Sequence, residues 1–166
     1  MQKASHLQAK QWNVVLFLTA ILIVAADQIT KLWIRSYPEG QYIFEIGFFR
    51  ITHVHNTGAA FGLFQGHSFA LTIAAFVGIA VLLFYALFAY RRFPFLDNMP
   101  NRVALGLILG GTVGNLIDRL NPNLDGVTDF ISIGIWPTFN IADSAVTIGA
   151  ILFAYSLLRL VQAEKR

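Results

Sequence analysis

The chain has 166 residues, of which 56% are hydrophobic and only 13% charged, with a mean hydropathy of +0.61. A soluble domain carries about 25% charged residues, so the composition is that of a single integral membrane domain, residues 1–166, and the net charge of +3 is no argument for a nucleic-acid partner. There is no cysteine, which excludes a disulfide framework, thiol catalysis and cysteine metal sites.

A membrane helix needs roughly 20 mostly apolar residues. The first stretch to qualify runs from about Trp12 to Ile34, "WNVVLFLTAILIVAADQITKLWI". Its basic start, apolar run and small residues are those of a secretory signal peptide. The apolar pattern resumes after Asp27 with "ITKLWI", however, so the segment is expected to be retained as a span. Next, "QYIFEIGFFRITHVHNTGAAFGLF" is rich in aromatic and β-branched residues and alternates around Glu45, Arg50, Thr52, His53 and His55. It predicts short strands over about 41–55, turned at Gly47, lying as a small sheet on the membrane surface. The "NTGAAFG" beyond it predicts a turn and a short interfacial helix.

The second span, about Ser68 to Tyr90, has no charge at all. The third, about Val103 to Leu120, is the least hydrophobic and places Gly106, Gly110 and Gly114 on one face, where another helix can approach closely. The fourth runs from about Ile141 to Val161. The fold class is therefore mainly α, with four transmembrane helices and a small sheet and short interfacial helix on the outer face. Four spans leave both termini on one side. That side, with the loop from Arg91 to Arg102, holds Lys3, Lys10, Arg91, Arg92, Arg102, Arg159, Lys165 and Arg166, against Lys31, Arg35, Arg50 and Arg119 on the other. Lysine and arginine mark the cytoplasmic side, so residues 35–67 and 118–140 are expected to face outward.

Ionisable residues inside spans are costly, roughly 2.5–3.5 kcal/mol each, and mark function by default. Asp27 and Lys31 stand at i and i+4 and, taken alone, read as an ion pair on one helix face. Asn115 shares a face with Asp118 and Arg119, so this cluster is expected to point one way, with Arg119 a partner for Asp118. Asp125-Gly126 is a turn signal. Asp129 differs, because Val127, Phe130 and Ile131 surround it in a β-like apolar segment. Asp143 has a simple reading as the third residue of a helix capped by Asn140. Yet Asp129 and Asp143 are joined by a short apolar loop with a bend at Trp136-Pro137, which can fold back and bring them face to face. Two carboxylates in one dry site share a proton, and such a pair can activate water against a carbonyl. His53 and His55 share a strand face without an evident third ligand, so they read as interfacial polar residues and no metal is expected. A transporter or proton-relay subunit would also carry acids and an arginine in its spans.

Five motifs in order, "DQITK", "HNTGAAFGLF", "GNLIDR", "VTDFI" and "FNIADS", resemble the lipoprotein signal peptidase (signal peptidase II) family from about Asp27 to Gly149. The resemblance implies an aspartic peptidase of the bacterial cytoplasmic membrane that needs no cofactor. It implies cleavage of prolipoproteins before a cysteine carrying diacylglycerol, by a monomer whose partners are that substrate and membrane lipids. The family's catalytic dyad maps onto Asp129 and Asp143. Its other motif residues match Asp27, Asn56, Asn115, Asp118, Arg119 and Asn140, which shape the site or contact substrate. Thr128 stands in "VTDF" where an apolar residue is expected. The ordered motifs favour the peptidase over the transporter.

Overall fold

The computed structural model describes residues 2–58, 68–89 and 97–164. In chain order these form α1 (Gln2–Ile34), β1 (Tyr42–Ile46), β2 (Phe49–Asn56), α2 (Ser68–Phe84) with a π-helical turn (Tyr85–Ala89), α3 (Met99–Leu120), β3 (Val127–Ile133) and α4 (Ile141–Glu164). Four helical segments are long and apolar enough to cross a membrane: Trp12–Ile34, Ser68–Phe88, Met99–Leu120 and Ile141–Arg159. They match the four expected spans, with two shifted ends. α3 starts at Met99 rather than Val103, because the Asn98 side chain accepts the Asn101 amide and Pro100 fits the first turn. α4 continues past Val161 to Glu164. The interfacial helix expected after "NTG" and the end of the second span at Tyr90 fall outside the described residues.

α3 is the centre of the bundle. In its most apolar window 56% of residues are buried, against 17%, 11% and 17% in α1, α2 and α4. The glycines explain how it is enclosed. A Cβ on Gly106 would lie 2.6 Å from the Leu16 carbonyl, and one on Gly110 would lie 2.7 Å from that of Ala20, both on α1. One on Gly111 would lie 2.4 Å from the Ala142 carbonyl on α4. The backbones therefore touch on two sides of α3, as small residues allow in membranes. Leu16, Ala20, Ala86, Leu105 and Leu109 form the apolar core. The outward faces of α1, α2 and α4 carry exposed Leu18, Ile21, Phe76, Val77, Ile151 and Leu158, as lipid-facing surfaces do.

Arg102, assigned from sequence to a loop, is instead wholly buried in the first turn of α3. Its guanidinium bonds Asp97 at 2.8 and 2.9 Å and the Asn13 side chain at 2.8 Å. Carrying a charge into the bundle is possible there because the planar fork meets a carboxylate and an amide together.

The sheet has three strands in the order β1-β2-β3, all antiparallel. β1 and β2 form the expected hairpin, turned at Gly47 with φ +59°. The third strand comes from residues 127–133, beyond the stretch from which a sheet was expected, and it sets Asp129 opposite Val54. Gly126 permits this pairing, since a Cβ there would lie 2.6 Å from the Asn56 carbonyl.

Candidate active site

Asp129 lies in the middle of β3 with 1% of its surface exposed. Beyond the strand, residues 134–138 make a tight return, because Phe139 and Ile131 exchange backbone hydrogen bonds at 3.0 and 2.8 Å. The chain then enters α4. Asn140 caps that helix: its side-chain oxygen accepts the Asp143 amide at 2.9 Å, and Asp143 Oδ2 accepts the Asn140 amide at 3.3 Å. This is the reciprocal capping arrangement expected from sequence.

The same Asn140 reaches the other acid. Its Nδ2 donates to Asp129 Oδ1 at 2.7 Å and to Asn115 Oδ1 at 3.0 Å. Asp129 Oδ2 accepts from Asn56 Nδ2 at 2.8 Å, and Asp143 Oδ1 accepts from Asn115 Nδ2 at 2.8 Å. Three asparagines from β2, α3 and the cap of α4 thus hold both carboxylates. Burial, and then the nearby Asp143 carboxylate, push the Asp129 carboxyl up to about 7. The two acids also border adjoining cavities. Asp143 lines one of about 360 Å³ with Trp136, Phe139, Thr147 and Ile148. Asp129 lines one of about 270 Å³ with His55, Asn56 and Thr57, and Pro137 and Thr138 border both. A buried and a half-buried acid at the meeting of an apolar and a polar cavity, on four helices fit to span a bilayer, match the five motifs in their expected order. The Signal peptidase (SPase) II family model matches residues 19–159 of this chain. The chain belongs to the signal peptidase II family.

Its relatives agree along almost their whole length. A lipoprotein signal peptidase of Dehalococcoides mccartyi is 50% identical over 140 residues, covering 84% of this chain and 86% of the relative. One from Moorella thermoacetica is 41% identical over 143 residues, covering 85% and 91%. A solved bacterial membrane enzyme superposes with a TM-score of 0.76 at 33% identity, covering 87% of each chain. As a signal peptidase II the protein is a membrane-embedded peptidase, which sets aside the transporter reading.

The remaining motif residues divide into two groups, and here the sequence expectations need correction. Asp27 and Lys31 are not a pair at the helix surface. Both are fully buried, 2.8 Å apart, and Lys31 also contacts Asp118 at 3.3 Å and Asn115 Oδ1 at 2.9 Å. Asp27 Oδ1 accepts the Ala142 amide at 3.0 Å, which ties α1 to the start of α4. Asp118 does not pair with Arg119. Its partners are Arg35 at 2.7 Å, Lys31, the Thr128 amide at 2.9 Å and Gln28 at 3.2 Å. Successive helix residues point about 100° apart, so Arg119 turns away from Asp118. It donates to the Gly58 carbonyl at 3.2 Å and lines a cavity of about 190 Å³ with Asn115 and Asp143. The two histidines stack edge to face 4.9 Å apart. His53 Nδ1 meets the Tyr37 carbonyl at 2.8 Å and His55 meets Glu39 at 3.3 Å.

Sequence reasoning did not single out Arg35, and it marked Thr128 only as a departure from an apolar position. Arg35 Nε donates to Thr128 Oγ1 at 2.8 Å, which accounts for a hydroxyl where an apolar side chain is expected. A signal for Arg35 was available: Asp27, Lys31 and Arg35 are spaced four apart and share a helix face.

Proposed function

We propose that Asp129 and Asp143 are the catalytic dyad, and that the enzyme cleaves prolipoproteins before their diacylglyceryl-bearing cysteine. The observation that carries this reading is the double hold of Asn140, which bonds one carboxylate with its side chain and the other with its backbone amide. With one proton between the two acids, the ionised carboxylate draws a proton from water. The protonated one donates a hydrogen bond to the scissile carbonyl as water attacks, and the leaving amine then takes up a proton. An Asp129 carboxyl that titrates near 7 keeps one proton in the site around neutral pH.

The substrate arrives laterally from the bilayer as an apolar signal helix and a lipidated cysteine. The cavity beside Asp143 offers Trp136, Phe139 and Ile148 to apolar groups, and the cavity beside Asp129 offers amide and imidazole groups to the polar backbone. Arg119 and Asn56 border this space and are assigned to substrate contact and site shape. The enzyme acts as a monomer, with its termini cytoplasmic and its dyad near the outer face, the orientation that the lysine and arginine distribution favours.

The test is Asp129→Asn and Asp143→Asn, assayed on a diacylated prolipoprotein in liposomes. Each variant is expected to insert normally and to lose at least about 10³-fold in kcat, within the span of general acid–base effects. Substantial cleavage by either variant overturns the dyad. Metal chelators are expected to leave the rate unchanged.

A further inference from the structure

Lys31 is a wholly buried ammonium that the dyad chemistry does not use. An ammonium has three hydrogens to donate and nothing to accept with. The three groups around it are Asp27 Oδ2 at 2.8 Å, Asn115 Oδ1 at 2.9 Å and Asp118 Oδ2 at 3.3 Å. Its hydrogen-bonding capacity is therefore filled, and one third of it is spent on an uncharged amide that also touches the dyad.

That contact decides which end of Asn115 faces Asp143. An asparagine amide can flip, and its neighbours alone determine its direction. The other two asparagines of the site are set by backbone amides: Asn56 Oδ1 accepts Gly58 N–H at 2.8 Å and Asn140 Oδ1 accepts Asp143 N–H at 2.9 Å. Each must then present its NH2 group to Asp129. Among the described residues Asn115 has no such backbone donor. Asn140 Nδ2 reaches its oxygen at 3.0 Å, but its two hydrogens are shared among Asn115, Asp129 at 2.7 Å and the Thr128 carbonyl at 3.4 Å. Lys31 is the donor that cannot turn round. We propose that Lys31 is a positioning residue of the peptidase reaction: it holds the Asn115 carbonyl, so that the Asn115 amide hydrogen is directed at Asp143 Oδ1.

This inference rests on the dyad reading above. The charged groups gathered at the Asp143 end of the bundle are Asp27 and Lys31 on α1, Arg35 just beyond it, Asp118 and Arg119 on α3, and Asp129 on β3. Lys31 and Arg35 balance Asp27 and Asp118 in number, so removing Lys31 together with the Asp27 charge keeps the balance and isolates the work of Lys31 at Asn115.

The experiment measures kcat, KM and the pH profile on a synthetic diacylated prolipopeptide in liposomes, for Lys31→Met, Asn115→Ala, the two combined, and Lys31→Met with Asp27→Asn. Asparagine at 27 keeps the acceptor for the Ala142 amide and restores charge balance, so this last variant is read for kcat even where Lys31→Met alone melts. Lys31→Met is expected to lower kcat at least about 30-fold with KM changed less than about threefold, the pattern of an interaction used in the transition state. The acid limb of its profile should move to higher pH, because an ionised dyad loses a donor. Combined with Asn115→Ala it should cost no more than about twofold beyond the worse single variant, as expected of residues acting through one another. Multiplying losses, an unmoved acid limb, or recovery of kcat on adding Asp27→Asn would each overturn the proposal. Asp129→Asn and Asp143→Asn run alongside: cleavage by these overturns the dyad, whereas their inactivity with an unimpaired Lys31→Met overturns only the role of Lys31.

Discussion

Four aspartates gather around the C-terminal half of α3, Asp27, Asp118 and Asp129 buried and Asp143 half-buried, and they fall into two pairs with opposite surroundings. Asp27 and Asp118 face cations, Lys31 and Arg35, at 2.7 to 3.3 Å. Asp129 and Asp143 are hydrogen-bonded by amides, Asn56, Asn115 and Asn140, while Arg119, which lines a cavity with Asp143, donates to the Gly58 carbonyl instead. A cation binds a carboxylate in its ionised form and makes the proton useless. An amide N–H leaves both forms possible, and burial then favours the neutral one. The difference shows that burial alone does not separate these acids; whether a cation bonds the carboxylate does. The two pairs touch at Asn115 and at the Thr128–Asp129 step, so one network joins the ion-paired acids to the proposed dyad.

The contrast can be broken most directly at Asp118. Asp118→Ala leaves Lys31 and Arg35 without their shared acid, and breaking a buried pair costs about 3–5 kcal/mol. A large fall in melting temperature in detergent is expected, whereas Asp129→Asn should melt near the parent. Equal stability losses in the two would erase the distinction. A smaller effect is expected from Gly114→Ala, whose new methyl would lie 2.6 Å from Asp27 Oδ2. Overpacking of this kind costs about 1–3 kcal/mol, and it presses on the ion-paired acids while the dyad's own bonds are untouched. Thr128→Val removes the acceptor for Arg35 Nε at the seam between the pairs and should cost about 0.5–1.5 kcal/mol.

The dyad side is sharpened by pH. Asp129 has a carboxyl raised to about 7, so its proton, fully held at lower pH, is lost as pH rises through that value. The alkaline limb of kcat is expected near pH 7. The like charge of Asp143 is one of the causes, so Asp143→Asn should lower the titration midpoint of Asp129, as read from its carboxyl carbon resonance. An unchanged midpoint would mean that the two acids do not sense each other.

Much of this was legible in the sequence because it depends on local patterns. Apolar length marked the spans, the four-residue glycine spacing marked the close face of α3, and Asn140 with Asp143 marked the start of α4. The candidate dyad was legible for the same reason, as two acids on either side of a short loop with a bend. What was not legible depends on rotation and on distant pairing. Whether Asp118 turns to Arg119 or to Arg35 is decided by the direction of α3 against α1, which no short window contains. The pairing of β3 with β2 joins residues as far apart as Phe49 and Ile133, and the alternation of 41–55 cannot reveal where a third strand comes from.

The bond between Asp27 and the Ala142 amide joins the first helix to the last across 115 residues. Synthesis proceeds from α1 to α4, so this closure and the arrival of Asp143 are late events on the same timetable. Until α4 docks, Asp129 lacks the second acid of the proposed dyad. On the proposed dyad, peptidase activity is then expected only once α4 has docked.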